Sequence, residues 1–270
     1  MRRMKRGTAL LIKEPRRLAG RFLGPKILVT SVPKSGTNLL VHTLTLFPQL
    51  SFDGTTVMLS HEEQYFRISK IRRGCVVSTH ECISPDLDNI LNQKKIKALY
   101  IIRDPRDVSV SLHHWIKKTD YHHFHETYIG FSSDLERIEK IITGYEPEKS
   151  DEQKQGIVSI DYHFRRSLSW MDYRRCLTIR FEDLIGPDGG GEKERQLRLI
   201  TSIAGFLDIH LSNKDIQFIG DNIFSDQTAT FRKGKIGSWR EEYSEEHKVA
   251  FKEVAGQLLI DLGYENDFNW

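Results

Sequence analysis

A chain of 270 residues, 39% hydrophobic and 29% charged, has the balance of a soluble globular protein of one domain with insertions, or at most two. Its net charge of +3 argues against a nucleic-acid partner, and its three cysteines (Cys75, Cys82, Cys176) cannot make an even disulfide framework. Buried reduced thiols and a cytoplasmic location are therefore expected, and no apolar run reaches the length of a membrane-spanning helix.

In chain order, residues 1–26 form a basic arm in which Glu14 is the only acid. It reads as a solvated or loosely docked segment whose charge would also suit peripheral contact with a membrane surface. A domain follows over 27–270. The run Ile27 to Val32 is β-branched and apolar, so a buried strand is expected, ending at Pro33, which cannot donate to a ladder. Gly36 permits close backbone approach to a ligand, and Thr37 or Asn38 can cap a helix running to Phe47. A strand entering a helix N-terminus through a tight turn makes an anion site, with Lys34 adding positive charge at its mouth.

Residues 51–73 support no assignment. Cys75–Thr79 is a second strand, Pro85–Leu91 a short helix capped by Ser84, and Ile96–Arg103 the strongest strand in the chain. Asp104-Pro105 opens a helix with Val108, Leu112 and Trp115 on one face. From 117 to 156 the text is polar, aromatic and rich in histidine, and reads as a partly helical insertion. A helix is expected over Ile160–Arg175, a strand over Cys176–Phe181, a loop at Pro187–Gly191, and helices over Glu192–Phe206 and Ser244–Leu262. Strands alternating with helices imply an α/β fold: one P-loop-like domain whose central parallel sheet carries helices on both faces. In such sheets ligands sit beyond the C-terminal strand ends, where Lys34, His80 and Arg103 all fall.

The loop is no ordinary P-loop, because Lys34 precedes its glycine and Val29 stands nearest to the place of a first one. In Arg103-Asp104-Pro105-Arg106-Asp107-Val108-Ser109-Val110-Ser111, Arg103 and Ser111 are spaced to face one phosphate. The same spacing is equally met if Arg103 merely pairs with Asp107 and Ser111 merely packs. Phe231-Arg232-Lys233-Gly234-Lys235-Ile236-Gly237-Ser238-Trp239 suits either a phosphate clamp or a solvated basic loop.

Together these motifs resemble those of sulfotransferases that use 3′-phosphoadenosine 5′-phosphosulfate (PAPS). Pro33-Lys34-Ser35-Gly36-Thr37 is similar to the family's 5′-phosphosulfate loop, the Arg103 stretch to its 3′-phosphate motif, and 231–239 to its C-terminal Arg-Lys-Gly-x-x-Gly-x-Trp motif. The Arg-Asp-Pro-Arg-Asp wording is nearer bacterial and carbohydrate-type members. The resemblance implies that Lys34, Ser35, Gly36, Thr37 and Asn38 bind the sulfate-bearing phosphate, and that Arg103, Ser111, Arg232, Lys233 and Gly234 bind the 3′-phosphate. His80, after its strand, resembles the family's base, with Lys34 as its catalytic partner. A lone histidine at a strand end is otherwise usually structural.

Three departures stand out: Ser78 replaces a lysine upstream of the histidine, Leu39 an adenine-side tryptophan, and Phe181 a tyrosine. Phe181 is assigned to the nucleotide on apolar character alone. The implied reaction is in-line sulfuryl transfer to a hydroxyl, or else an amine, of a small molecule, lipid or glycan, releasing 3′-phosphoadenosine 5′-phosphate (PAP) and needing no metal. The histidines at 113, 114, 122, 123 and 125 lack a partner at a familiar ligand spacing, and suit substrate lining or plain surface better than a metal. The rivals are a nucleotide kinase, disfavoured by the loop spacing, and a catalytically inert PAP- or PAPS-binding module.

Overall fold

The computed structural model describes residues 23–57, 59–147, 156–224 and 234–270. They form two compact units interleaved along the chain. The first draws on the described residues up to Ser31, on Gly36–Ile102 and on Ser169–Gly234; the second on Val32–Ser35, Arg103–Leu168 and Lys235–Trp270.

The first unit holds the sheet. Strands β1 (Lys26–Ser31), β2 (Ser51–Thr55), β3 (Cys75–Thr79), β4 (Ile96–Ile102) and β5 (Cys176–Arg180) lie in the order β2-β3-β1-β4-β5. Every neighbouring pair is parallel, with Thr30 opposite Thr79 on one side of β1 and Tyr100 on the other. Parallel pairing requires crossovers, here provided by α1 (Thr37–Leu46), α2 (His61–Ser69) and α3 (Pro85–Lys94). The inner strands are continuous apolar runs because they are covered: Ile27, Leu28, Val29, Val76, Leu99 and Ile101 are all buried. The expected α/β class with a central parallel sheet is thus observed.

The unassigned stretch at 51–73 contains β2 and α2. Strand β2 is an edge strand with both faces partly exposed, so no alternation marks it. Helix α2 did carry a signal, a capping box between Ser60 and Glu63. Helix α3 has Ser84 as its N-cap and Pro85 at its first position, and runs on to Lys94. After β5, Phe181 opens a one-turn helix, α8 (Phe181–Leu184), instead of ending the strand.

In the second unit α4 (Pro105–Lys118), α5 (His125–Ile129), α6 (Asp134–Thr143) and α7 (Ile160–Arg165) are joined by α11 (Trp239–Glu242) and α12 (Glu245–Asp261). In the first unit, α9 (Lys193–Phe206) agrees with expectation, while α10 (Asn213–Asn222), opened by a Ser212–Asp215 capping box, was missed. The stretch 117–156 is helical over α5 and α6 and is closed by a Tyr145–Ile157 bridge; residues 148–155 lie outside the described residues. Ile138, Ile141 and Ile142 are its buried face. The helix expected over 160–175 stops at Arg165, and a 3₁₀ turn follows at Leu168–Trp170. Trp170 is fully buried and its Nε1 donates to the Glu81 carbonyl at 2.9 Å, an anchorage that a continuous helix would lack.

Candidate active site

The loop after β1 is built from backbone before side chains. Ser35 N–H donates to the Val32 carbonyl at 3.1 Å, closing a tight turn with Lys34 in the left-handed region at φ 70°. Gly36 follows at φ 109°, and a Cβ there would lie 2.8 Å from Phe181 Cδ2 and 3.1 Å from Ile101 Cδ1. No larger residue fits beside that ring. Gly36 is itself the N-cap of α1, and no side chain caps the helix. The expected Thr37 or Asn38 cap is therefore corrected: Thr37 Oγ1 instead shares a 2.6 Å hydrogen bond with Ser31 Oγ, back on the strand. The Ser35 hydroxyl is fully buried with no partner among the described residues. An uncapped helix end, a side-chain-free cradle at Gly36 and an unspent buried hydroxyl fit an anionic group.

His80 stands directly after β3. Its Nδ1 lies 2.8 Å from the Ser31 carbonyl oxygen and 3.3 Å from Ser31 Oγ. A carbonyl can only accept, so Nδ1 carries the proton and Nε2 the lone pair. The next residue is pinned on several sides. The Glu81 carbonyl accepts from Trp170 Nε1 and from Thr30 Oγ1. Its carboxylate accepts from Gln64 Nε2 at 2.8 Å and meets His61 Nδ1 at 2.9 Å. Gln64 Oε1 in turn accepts from Thr56 and Thr79, completing a buried polar cluster under the histidine's strand end. Ser31, Gln64 and Glu81 carried no sequence signal; their role comes from strand register and from the unassigned stretch. Phe181 is buried and supports Gly36, and Leu39 is half-buried in the first turn of α1.

In the second unit Arg103 Nη2 donates to the Lys235 carbonyl at 2.8 Å and stands 3.5 Å from Asp107 Oδ2. The bland alternative, pairing with Asp107, thus holds together with a link to the C-terminal motif. Asp107 is fully buried and accepts from Gly237 N–H at 2.8 Å and Trp239 N–H at 3.0 Å. Burial pushes its carboxyl above the ordinary carboxylate range, opposed by the Arg103 charge and the two backbone donors. Ser111 is half-buried and four residues on from Asp107, hence on the same face of α4. Arg106 is buried too, paired with Asp104 and Glu265 and stacked 4.2 and 4.5 Å from the rings of Trp239 and Trp270. Gly234 takes φ 58°; Arg232 and Lys233 lie outside the described residues.

The Lys34 ammonium sits 5.1 Å over the Trp115 ring, a contact the sequence did not announce. An aromatic tier continues from there: His122 meets Trp115 edge-on at 4.6 Å, stacks on His123 at 4.5 Å, and His123 touches Phe124. Burial, then the neighbouring histidine charges, push His122 down to about 4, so it is neutral at pH 7. His113 is likewise pushed down to about 4, chiefly by burial, and hydrogen bonds to the Tyr128 hydroxyl. Among the described residues no group of three or more histidine, cysteine or acidic side chains is placed to hold a metal ion.

The family model described as "Sulfotransferase domain" matches residues 24–263. The chain belongs to the sulfotransferase family. Sulfotransferase 6B1 of Danio rerio is 24% identical over 195 residues, covering 63% of this sulfotransferase and 57% of that protein. The Homo sapiens protein of the same name is 26% identical over 273 residues, covering 89% and 80%. This sulfotransferase therefore spans little more than half of the Danio rerio relative in that match. Among solved structures, mouse sulfotransferase SULT7A1 complexed with PAP superposes with a TM-score of 0.66 at 19% identity, covering 89% of this chain and 87% of that one. Retinol dehydratase in complex with androsterone and PAP gives 0.58 at 18% identity, covering 94% and 85%. Both share the α/β fold. The enzyme class expected from the motifs stands with this membership. No helix among the described residues is long and apolar enough to cross a membrane.

Proposed function

We propose that this sulfotransferase moves a sulfuryl group from PAPS to an acceptor hydroxyl by in-line displacement, with His80 as the base. The acceptor oxygen bonds to sulfur while the bond from sulfur to the 5′-phosphate oxygen breaks. The hydroxyl proton passes to His80 Nε2, and a sulfate ester and PAP leave. One observation carries this reading: Nδ1 of His80 faces the Ser31 carbonyl, which leaves Nε2 as the proton-accepting nitrogen. A histidine held only for packing needs no such tautomer.

The remaining roles follow the motifs. Lys34 neutralises charge on the departing phosphate, and the loop from Ser35 to Asn38 offers backbone N–H groups and hydroxyls to its oxygens. Arg103 and Ser111, with Arg232, Lys233 and Gly234, serve the 3′-phosphate. Phe181 enters as the support of Gly36, which its buried ring favours. The stretch 117–156 is acceptor-side, and the neutral aromatic tier beside Lys34 favours an acceptor with an apolar or ring face, whether small molecule, lipid or glycan. The arm at 1–26 is a candidate for membrane contact, and the enzyme is read as cytoplasmic with its cysteines outside disulfides, Cys75 buried and the other two half-buried.

Incubation with ³⁵S-labelled PAPS and a panel of phenols, sterols, lipids and sugars tests the proposal. Label should move to at least one hydroxyl acceptor, with matching release of PAP. PAP binding without transfer to any acceptor would favour the inert binding module. Preference for ATP with magnesium would favour the kinase.

A further inference from the structure

We propose that Asp107 is a positioning residue that sets recognition of the 3′-phosphate by holding Arg103 and the Lys235–Trp239 loop as one piece. This rests on the reading of Arg103 as the 3′-phosphate ligand. The observations are contacts linking Asp107, Arg103 and the loop. Asp107 lies on the first turn of α4, fully buried, and both its oxygens are used: Oδ2 by Gly237 N–H at 2.8 Å and Oδ1 by Trp239 N–H at 3.0 Å. The same Oδ2 stands 3.5 Å from Arg103 Nη2. Arg103 Nη2 reaches the other side of the loop at the Lys235 carbonyl, 2.8 Å away. The carboxylate thus takes N–H groups from the loop while the guanidinium gives one to it.

A buried carboxylate is costly unless its lone pairs are filled, and no cation satisfies this one alone. Two backbone donors two residues apart fix where the loop enters α11, while the charge of Asp107 orients the guanidinium. Gly237 takes φ 74°, so the N–H it offers depends on a backbone that other residues rarely adopt. A side chain serving only to cap α4 would not need this arrangement, because Asp104 already does so, accepting from Arg106 N–H.

Calorimetry with PAP and with adenosine 5′-monophosphate, which lacks the 3′-phosphate, is the test. The wild-type chain should prefer PAP. In Asp107→Asn, which keeps the shape but loses the charge and turns one acceptor into a donor, PAP should bind about 10–100-fold more weakly and the monophosphate within about twofold of wild type. In an Arg103→Ala background the same change should cost less than about threefold, since the two act as one unit. The Michaelis constant for PAPS should rise more than turnover falls. Equal loss for both nucleotides, or no loss for either, overturns the proposal while leaving the 3′-phosphate reading intact. A wild-type chain indifferent to the 3′-phosphate overturns both. If Asp107→Asn does not fold, amide exchange in the wild-type protein decides: Gly237 and Trp239 must be protected without nucleotide, and rapid exchange of both sinks the latch.

Discussion

The end of β3 and the start of α4 hold their side chains by opposite means. His80 meets the Ser31 carbonyl and hydroxyl, and the neighbouring Ser31–Thr37 and Thr30–Glu81 bonds are likewise between neutral groups. The nearby Glu81 carboxylate is held by Gln64 and His61. Around Arg103 a buried carboxylate and guanidinium face each other, two loop amides donate to the carboxylate, and the Lys235 carbonyl accepts from the guanidinium. Neutral contacts can be deleted singly at modest cost, whereas a buried pair punishes the loss of either member by stranding the other. Changes in the first region should therefore alter rate with the fold intact, and changes in the second should alter affinity and stability together.

The largest expected effect tests the first half of that contrast. His80→Ala should reduce turnover by about 10²–10⁴-fold while PAPS affinity and melting temperature stay close to wild type. Near-normal turnover on an aliphatic alcohol would remove His80 from the chemistry. Lys34→Ala comes next, with turnover falling by about 10²–10³-fold and nucleotide affinity by much less, because its charge matters most as the leaving phosphate gains charge. An effect confined to the Michaelis constant would move Lys34 to ground-state binding.

The second region is probed by Arg103→Ala. PAPS should bind about 10–100-fold more weakly and adenosine 5′-phosphosulfate almost normally, since only the 3′-phosphate loses its partner. Unlike His80→Ala, this variant should also melt earlier, with Asp107 left buried without its cation. Parallel melting curves for the two variants would erase the distinction between the regions.

The last effect is on acid stability and involves neither nucleotide nor acceptor. His113 has its folded pKa pushed down to about 4, so its neutral form is the one the fold favours. Its contribution is complete above the unfolded value near 6.5 and is lost as pH falls toward 4. Unfolding by urea should become easier across that window by on the order of 2–3 kcal/mol. His113→Gln should flatten the slope, and an unchanged slope would place the acid sensitivity elsewhere.

The inner strands were legible because burial on both faces writes them as unbroken apolar runs, as in Ile27–Val29 and Leu99–Ile102. Strand β2 was not, since Ser51-Phe52-Asp53-Gly54-Thr55 packs neither face fully. The motifs around Lys34, Arg103 and Trp239 could be read from their resemblance to the family's motifs, and their partners could not. That Ser31 orients His80 depends on the strand end, and that Asp107 holds Gly237 depends on contacts 130 residues apart in sequence. The Thr37 cap failed for a local reason: a nearer hydroxyl, Ser31, claimed its side chain, and Gly36 took the capping place.

Lys34 sits at φ 70°, a conformation costing a non-glycine residue about 1–2 kcal/mol. The fold would keep its shape with glycine there, more comfortably than with lysine. Selection for heat resistance alone should therefore drift toward glycine at this position, giving a sturdier protein without the charge proposed to serve the departing phosphate. On the role proposed for Lys34, the loop holds its charge at a backbone angle that favours glycine, so stability and chemistry pull position 34 in opposite directions.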